Sequence, residues 1–486
     1  MEKFLRIIVA GLMLFCFTTA GAQNSQVLYH MNLPQNHLLN PAFRPSSSVY
    51  VGLPVLTGIN FNLGNNLLAF GDLFTEGVSV DESNISFLSS GFNTERFLSG
   101  LKDKNHLETQ TGIQLLGVGF TAGKGNYFFL DVVERAEVNF VFPRDMIRLS
   151  FLGNADFAGQ TFDFSSFSTD IKYFRETGIG FSKQITERLR MGIKGKMYMG
   201  MAAMAVRNNS MKLTVNNDYT STLATDMRVN FCAPLNITAN AENLIDDISF
   251  DELNTSKEVL NFMTNTKNLG FGVDFGAEFS LTNQIVLSAA LTDFGYIKWN
   301  DKESLSSLVT ESDITLNGMN ISDVQDGNAT FEDIAKELVD SLRSGMTVRT
   351  PGNSFRTTMP MGITAGGQFI LNNKISFGAL SHSRIVGKQI REAFTLSANL
   401  NLRNFFSASL AYTASNHSYD NIGLGLGIRG GWAQFYLIAD RIPLTWKTIM
   451  IDEDKIPIPA NWNNINMRFG INLLFGNRIK KPVGEI

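Results

Sequence analysis

The sequence predicts an all-β protein, a transmembrane antiparallel β-barrel of about 14 strands, with roughly 12 to 16 as the range. Apolar residues recur at every second position over long stretches, and a secretory leader precedes them. After that leader, no apolar run reaches the roughly 18 residues that a membrane helix requires. Such strands must close into a ring, because an open sheet edge would leave backbone N–H and C=O groups unpaired in hydrocarbon.

The clearest strand is the run from Ile465 to Phe475. Its odd positions are all apolar, whereas Asn466, Arg468 and Gly470 lie between them. A period of two is that of a strand, since alternate side chains point to opposite faces. The row is about as long as the roughly 9 to 11 residues of a membrane-crossing strand. We therefore expect its apolar side to face lipid.

Composition favours the same fold class. The 486 residues include 42 Gly and 39 Phe, and only 18% are charged. That balance suits aromatic-rich strands with small residues facing a lumen. The alternative is a soluble β-sandwich or two-domain β protein, in which alternation reflects a core on one face. The leader and the absence of a domain linker favour the barrel.

Residues 1–22 have the layout of a cleaved signal peptide. Lys3 and Arg6 precede an apolar core from Ile7 to Phe17, and Ala20-Gly21-Ala22 forms the cleavage site. An uncleaved anchor helix is the alternative, but the apolar run is short. We therefore predict export to the bacterial outer membrane, with outer-membrane lipid as a partner.

The mature chain is slightly acidic and carries one cysteine. Removal of Glu2, Lys3 and Arg6 takes 41 basic and 45 acidic residues to 39 and 44, a net charge of −5. Nucleic acid is therefore not an expected partner. Cys232 remains alone after cleavage, so no internal disulfide is predicted.

Three regions follow the leader: a segment at 23–48, a barrel at 49–475 and a tail at 476–486. The first is polar and is interrupted by Pro41 and Pro45. It is either a frayed terminus or a segment that enters the periplasmic mouth. Two insertions, at about 234–267 and 300–357, are predicted as long extracellular loops with helices at Phe250–Met263 and from Thr330 to Leu342. Short turns such as Thr282-Asn283 are predicted at the periplasmic end.

Charged residues on the polar side of the strands are the lumen-facing candidates. They are Arg190, Lys194, Lys196, Arg228, Asp274, Glu278, Arg429 and Arg468. Met227, Val229 and Phe231 are read as an outward row, which would put Cys232 in the lumen. Because bases outnumber acids on the polar side, the acidic insert at 301–340 is either a gate over a basic lumen or a solvated loop. Glu134 and Arg135 cannot pair with each other, since neighbours on a strand point to opposite faces.

Enzymatic motifs are not found. Gly425, Gly427 and Gly430 imitate a dinucleotide fingerprint, but no helix pattern follows them. The five histidines show no metal spacing, and no nucleophile elbow occurs. We therefore predict no catalytic residue, no metal and no cofactor.

Several short stretches resemble a Bacteroidota outer-membrane barrel family of unknown function, and through it the FadL-like transporters and the type IX secretion barrels of the PorV and PorP/SprF kinds. The stretches are Leu33-Pro34-Gln35, Leu39-Asn40-Pro41-Ala42-Phe43, Glu134-Arg135, Phe142-Pro143-Arg144-Asp145, Gly153-Asn154, Thr292-Asp293-Phe294-Gly295 through Lys298-Trp299, and Phe435-Tyr436-Leu437-Ile438-Ala439-Asp440. The tail from Gly476 to Ile486 departs from the aromatic end common in such barrels.

The resemblance implies two functions. FadL-like proteins imply a channel for a hydrophobic or amphiphilic solute, with Asn40, Pro41 and Ala42 in a plug. Type IX barrels imply an accessory barrel that binds a secretion or surface-protein partner. The channel predicts a lumen pocket with apolar lining, and the accessory barrel predicts a filled lumen with apolar residues on the long loops.

Overall fold

The structure is a computed structural model. It describes residues 26–31, 33–67, 79–80, 93–123, 125–241, 244–250, 255–302, 304–310, 313–316, 345–349, 352–387, 389–402, 405–415, 418–442, 445–451, 454–459 and 464–477. The leader, the C-terminal tail beyond residue 477 and the helix predicted from Thr330 to Leu342 lie outside these ranges. Among the described residues, no helix has both the length and the hydrophobicity needed to cross a membrane.

Strands dominate the chain. They are β1 (Ser47–Gly52), β2 (Ile59–Asn65), β3 (Ser79–Val80), β4 (Lys104–Ala122), β5 (Asn126–Pro143), β6 (Thr161–Asp163), β7 (Ser168–Gln184), β8 (Leu189–Val215), β9 (Ser221–Cys232), β10 (Leu235–Ala239), β11 (Ile245–Phe250), β12 (Leu269–Ser280), β13 (Ile285–Trp299), β14 (Leu305–Thr310), β15 (Ile314–Leu316), β16 (Met346–Arg349), β17 (Phe355–Thr358), β18 (Met361–Ile370), β19 (Ile375–Val386), β20 (Gln389–Leu402), β21 (Phe406–Ser415), β22 (Ser418–Gly430), β23 (Ala433–Ile442), β24 (Trp446–Ile451), β25 (Asp454–Pro459) and β26 (Asn464–Asn477). The helices are α1 (Gln26–Tyr29), α2 (Thr94–Gly100), α3 (Arg144–Leu152) and α4 (Ser256–Met263), with 3-10 turns at Pro34–Leu38 and Ala155–Phe157.

Fourteen strands form a closed antiparallel ring, which confirms the predicted fold class and strand number. The ring runs β1/β2, β4, β5, β7, β8, β12, β13, β18, β19, β20, β21, β22, β23 and β26. The last strand, β26, pairs with β1 and β2 and closes the ring. No edge of the ring is left unpaired, so its backbone groups are satisfied.

The first strand of the ring is interrupted, and the interruption turns into the lumen. β1 and β2 both pair with β26 on one side and β4 on the other, with residues 53–58 between them. The carbonyl of Thr57 accepts a hydrogen bond from the Tyr436 hydroxyl at 2.8 Å. A Cβ on Gly470 would lie 2.1 Å from the same carbonyl. The absent side chain of Gly470 therefore lets this turn lie on the wall.

The outside of the ring is apolar. Its large exposed side chains include Ile179, Met191, Ile193, Phe271, Phe275, Leu287, Phe294, Ile363, Phe394, Leu396, Leu410, Ile428, Leu437 and Phe469. Near the short turns the band is aromatic, with Phe120, Phe128, Phe279, Phe369, Phe377, Phe405, Trp432, Phe435 and Phe475 exposed. Phe271 is 57% exposed and Phe469 is 44% exposed, so neither row is enclosed in a protein core.

One alternating row has a different role from the one expected. β8 extends past the ring, and its upper half pairs with β9, which pairs in turn with β14. Met227 and Val229 are buried with Leu308 and Met346 in an apolar cluster of this outer extension. The row on β9 therefore faces a protein core and not the outside of the ring. Strand alternation alone cannot distinguish the two environments.

The long insertions contain strands as well as helix. β10 and β11 form a hairpin in the first insertion, and β14 to β17 lie in the second. Outside the insertions, β24, β25 and β3 form a separate small sheet. The helix predicted at Phe250–Met263 is present but begins later, at Ser256. Thr255 caps it, and Glu258 completes a capping box. Phe250, where the predicted helix was to begin, is instead the last residue of β11.

Candidate functional site

The N-terminal segment, residues 26–46, lies inside the ring. The Val27 amide donates to the Asp440 carboxylate at 2.8 Å. The Gln35 amide group donates to Asn472 at 2.7 Å, on the closing strand β26. Val27, Leu28, Met31 and Leu33 form an apolar cluster with wall residues, including Tyr436. The segment is therefore held by both packing and hydrogen bonds to β23 and β26.

Asn40, Pro41 and Ala42 contact the wall opposite that cluster. The Asn40 side chain donates to the backbone carbonyls of Ala277 and Ala289, both at 3.3 Å, and accepts from the Ala42 amide at 2.9 Å. Asn40 and Ala42 are both fully buried. The Ser182 hydroxyl donates to the Ala42 carbonyl at 2.9 Å. This element is consequently bound to β7, β12 and β13 at once.

Glycines on the lumen face allow this close contact. A Cβ on Gly192 would lie 2.1 Å from the Pro41 carbonyl oxygen, and one on Gly276 would lie 2.0 Å from the Asn40 side-chain oxygen. Such distances are far below van der Waals contact, so any larger residue would displace the segment. Gly425, part of the false dinucleotide motif, lies in β22, where its added Cβ would meet the Met31 sulfur at 2.2 Å. Its role is packing.

A dense group of ion pairs fills the wall beside the segment, and we call it the lumen charge cluster. It comprises Asp131, Arg135, Glu137, Lys172, Glu176, Lys194, Lys196, Asp274 and Asp293. Lys194 lies 3.0 Å from Glu176 and 3.3 Å from Asp131. Lys196 lies 2.6 Å from Asp293 and 2.8 Å from Asp274. Buried charges of this kind require such pairing.

The geometry of Asp293 depends on a bulge. The register between β12 and β13 shifts between Val273 and Phe275. Asp293 lies opposite this shift with φ of 56°, a left-handed conformation, and its amide donates to Asp274 at 2.7 Å. The bulge changes which side chains point inward, so Asp293 reaches both Arg135 and Lys196.

The N-terminal segment also touches the lumen charge cluster. His37 Nε2 lies 2.8 Å from Asp131, and both side chains are fully buried. Gln114 donates to the other oxygen of Asp131 at 2.8 Å. Asp131 thus joins the segment to Lys194, and displacement of the segment would leave this carboxylate with fewer partners.

A cavity of about 100 Å³ lies between the segment and the cluster. It is lined by Leu38, Leu39, Gly58, Asn60, Gln110, Gly112, Gln114, Val133, Arg135, Glu176, Lys194, Lys196, Thr292, Asp293 and Arg468. The apolar part is Leu38, Leu39 and Val133, and the rest is polar, charged or glycine. A lining of mainly apolar side chains, as a purely hydrophobic solute would require, is not present here.

Arg468 differs from the other cations of the lining. Its Nε is buried and finds no hydrogen-bond partner among the described residues. Arg135, Lys194 and Lys196 each contact at least two carboxylates. Arg468 is therefore the cation of this cavity that forms no ion pair within the part of the chain that the structure describes.

Other predicted lumen residues lie apart from this cavity. Arg190 pairs with Glu278 at 3.1 Å near the short turns. Arg429 donates to the Gly431 carbonyl at 3.0 Å at the same rim. Arg228 is exposed on β9, in the outer extension, and so does not face the lumen of the ring.

The expected shortage of lumen acids is a further correction. Asp131, Glu137, Glu176 and Asp293 are inward or cavity-lining carboxylates that sequence reasoning did not select. They balance the bases, so the lumen is not a basic surface awaiting an acidic insert. Most of that insert lies outside the described residues. Glu134 and Arg135 do find separate partners, because Glu134 pairs with Arg175 and Arg135 with Glu176.

Two groups outside the spanning strands have altered acidity. Burial lowers the pKa of the His30 imidazole to about 4. Burial in the outer extension raises the pKa of the Cys232 thiol to about 12, so the thiolate needed for reaction is scarce at neutral pH. No grouping of His, Cys, Asp and Glu suited to a metal ion occurs among the described residues.

Comparison with solved structures finds distant matches. A Pseudomonas aeruginosa FadL homologue is 11% identical with a TM-score of 0.41, over 94% of this chain and 98% of that one. The Pseudomonas putida toluene transporter TodX is 10% identical with a TM-score of 0.38, over 94% and 95%. A deltaS2S3 mutant of TodX, a monoaromatic hydrocarbon channel, is 10% identical with a TM-score of 0.42, over 90% and 94%.

A family model covers most of the chain. The model of DUF5723, a family of unknown function, matches residues 41–440. The comparison with curated proteins gives no match. The function therefore has to be inferred from the geometry of the lumen.

Proposed function

Because this chain belongs to DUF5723, a family whose description assigns no activity, we propose a function from the chain's own geometry. The protein is an outer-membrane barrel that admits an amphiphilic solute with an anionic head group, and its N-terminal segment is a plug. The cavity beside Arg468 is the observation that carries this proposal.

Placement in a membrane is supported by the outside of the ring. The exposed apolar band and the aromatic residues near the short turns have the arrangement of an outer-membrane barrel. In water, a continuous apolar surface of this size would favour aggregation. The predicted leader at residues 1–22 would deliver the chain to the periplasm.

The plug is supported by the contacts of Asn40, Pro41 and Ala42. They bridge three wall strands, while the first half of the segment packs on the opposite wall. A solute must pass around this segment or displace it. These contacts lie inside the lumen, so displacement would not require the ring to open.

The solute class follows from the two kinds of lining. Leu38, Leu39 and Val133 provide a small apolar surface, and Arg468 provides an unsatisfied donor. A guanidinium binds carboxylate, sulfate and phosphate groups through charge-assisted hydrogen bonds. An anionic amphiphile therefore fits better than a hydrocarbon, whose entry would leave many polar groups without water.

Flux of permanently charged amphiphiles tests this function. We expect reconstituted liposomes to admit hexanesulfonate faster than hexyltrimethylammonium, since neither ion crosses a bilayer readily. Arg468→Gln should lower the hexanesulfonate flux about tenfold, because a hydrogen bond to a charged group contributes about 1.5 to 3 kcal/mol. Liposome swelling under an osmotic gradient measures both rates.

Arg188→Gln is the matched control. Arg188 is exposed in a short turn, away from the cavity, so its loss should leave both rates unchanged. Equal rates for the two amphiphiles, or no effect of Arg468→Gln, would contradict the proposal.

One observation favours the accessory barrel as a second function. The N-terminal segment and the lumen charge cluster both lie within the lumen, which suits a barrel whose role is to hold a partner. Under that function, reconstituted protein would show no flux of either amphiphile. A secreted or surface protein would instead copurify from native outer membrane in fixed stoichiometry.

A further inference from the structure

Helix α4 lies against the outside of the ring. The Phe262 ring stacks on Tyr173 of β7, with 6.3 Å between centroids. Lys172 and Phe174 point into the lumen, where Lys172 pairs with Glu137 and Phe174 packs on Tyr198. Tyr173 therefore points outward, since neighbours on a strand alternate. The contact fixes α4 to the outer surface and not over the lumen.

The level of this contact is the upper border of the apolar band. Arg175, two residues from Tyr173, forms an outward ion pair with Glu134. In the same cross-strand row, Arg175 is opposite Met199, which is opposite Leu269. Leu269 begins β12 and is followed by the outward Phe271. Charged and tyrosine side chains beside the last apolar residues are typical of the head-group level.

The helix is amphipathic, with its apolar side free. Val259 is 38% exposed and Leu260 is 60% exposed, although both are apolar. At about 100° per residue, Val259 lies about 160° from Asn261 around the helix. With Phe262 directed at the wall, the side that carries Val259 and Met263 is perpendicular to it and opposite the side of Asn261.

We propose that α4 is an interfacial helix whose free apolar side contacts the acyl chains of the outer leaflet. This inference rests on the proposed membrane placement and extends the lipid contact from the strands to an insertion. The contact of Phe262 with Tyr173 places α4 at the level of Leu269, where the apolar band of the ring ends. Lys257 lies on the polar side with Asn261, four residues before it, where an ammonium can reach lipid phosphates.

Lipid is favoured over a protein partner by this position. Val259 and Leu260 are exposed apolar residues of a helix at the border of the apolar band. The capping box of Thr255 and Glu258 stabilises the helix locally. In such a position an amphipathic helix lies in the plane of the interface.

Single-cysteine labelling tests the proposal. Cys232 is buried with a thiol of raised pKa, so added cysteines can be labelled selectively. Val259→Cys, Leu260→Cys, Asn261→Cys and Phe271→Cys would each carry an NBD fluorophore in liposomes of phosphatidylcholine brominated on its acyl chains. Phe271→Cys reports the band, and Asn261→Cys is the matched control on the polar side of α4.

The expected result is strong quenching at positions 259, 260 and 271, at least threefold above that at 261. Quenching at 271 with positions 259 and 260 equal to 261 would overturn the interfacial helix alone. No quenching at 271 would overturn the membrane placement and this inference together. Heat-modifiable migration of each variant would establish that the ring is intact.

Discussion

Single residues determine how closely the plug and the wall can approach. Because Gly192 has no side chain, the Pro41 carbonyl can lie against its backbone. The Asn40 side chain donates hydrogen bonds to backbone carbonyls of β12 and β13. Gly192 lies between Arg190 and Lys194, which the sequence placed on the polar side of their strand, but nothing in the sequence indicated that another backbone lies against it. The contact between Pro41 and Gly192 joins segments far apart in the chain, so it leaves no local pattern in the sequence.

Gly192→Ala is therefore expected to loosen the plug. The added Cβ would lie 2.1 Å from the Pro41 carbonyl oxygen, an overlap that costs about 1 to 3 kcal/mol to relieve. The measurement is the rate of thermolysin cleavage within residues 26–46, followed by mass spectrometry. We expect faster cleavage in the variant.

Gly195→Ala supplies the control on the same strand. Gly195 has no atom within 4 Å of an added Cβ, so cleavage should stay at the wild-type rate. Equal cleavage of both variants and wild type would show that the plug does not depend on the glycine contact.

Strands could be predicted from the sequence where their outward face is apolar and their inward face is polar. The rows Leu269–Phe279 and Ile465–Phe475 are long and regular, and both are ring strands. The row on β9 has the same period but belongs to the outer extension. The period of two shows that one face of β9 is apolar. Only the pairing of β9 with β8 and β14 shows that this face is covered by protein and not by lipid. Asp293 escaped selection because a bulge changed the parity of β13.

The plug should be released more easily in acid. Burial lowers the pKa of His30 to about 4, whereas a released segment would have the ordinary 6.5. The docked state prefers neutral His30, so docking is strongest above pH 6.5 and weakens as pH falls toward 4. At 1.36 kcal/mol per pKa unit, the loss reaches about 3 kcal/mol.

Hydrogen exchange of peptides from residues 26–39 measures this effect, after correction for intrinsic exchange rates. Between pH 7.5 and pH 5, protection should fall in the wild type. His30→Gln should remove most of this pH dependence, because the variant has no imidazole at position 30. A small dependence should remain, because Asp131 and Asp440 contact the segment in both proteins. An unchanged slope in the variant would assign the dependence to those carboxylates instead.

At the scale of the whole molecule, the outer and inner faces of the ring have opposite polarity. Outward positions are apolar, while inward positions carry ion pairs around a cavity and the N-terminal segment. Composition and period were sufficient for the ring and its strand number. The balance of charge was not accessible, because Glu137, Glu176 and Asp293 acquire meaning only from cross-strand neighbours.

Lys196→Met should destabilise the entire ring. Lys196 contacts Asp274 and Asp293, and its loss leaves buried carboxylates with one cation fewer. Breaking a buried pair costs about 3 to 5 kcal/mol. The temperature at which the folded form disappears on unboiled gels should therefore decrease.

Arg207→Met provides the comparison on the outer surface. Arg207 pairs with Asp170 at 2.9 Å, but the two side chains are 46% and 30% exposed. Such pairs contribute at most about 1 kcal/mol. A similar decrease in both variants would show that burial does not distinguish the two pairs.

The seam between β26 and β1 has a consequence for biogenesis. It joins the last strand of the ring to the first, and residues 33–46 run directly into that first strand. Once β26 and β1 have paired, the N-terminal segment can enter the lumen only through one open end of the barrel. The simplest route is for the N-terminal segment to bind the incomplete sheet before β26 pairs with β1. The bound segment would then act as a template for closure of the ring.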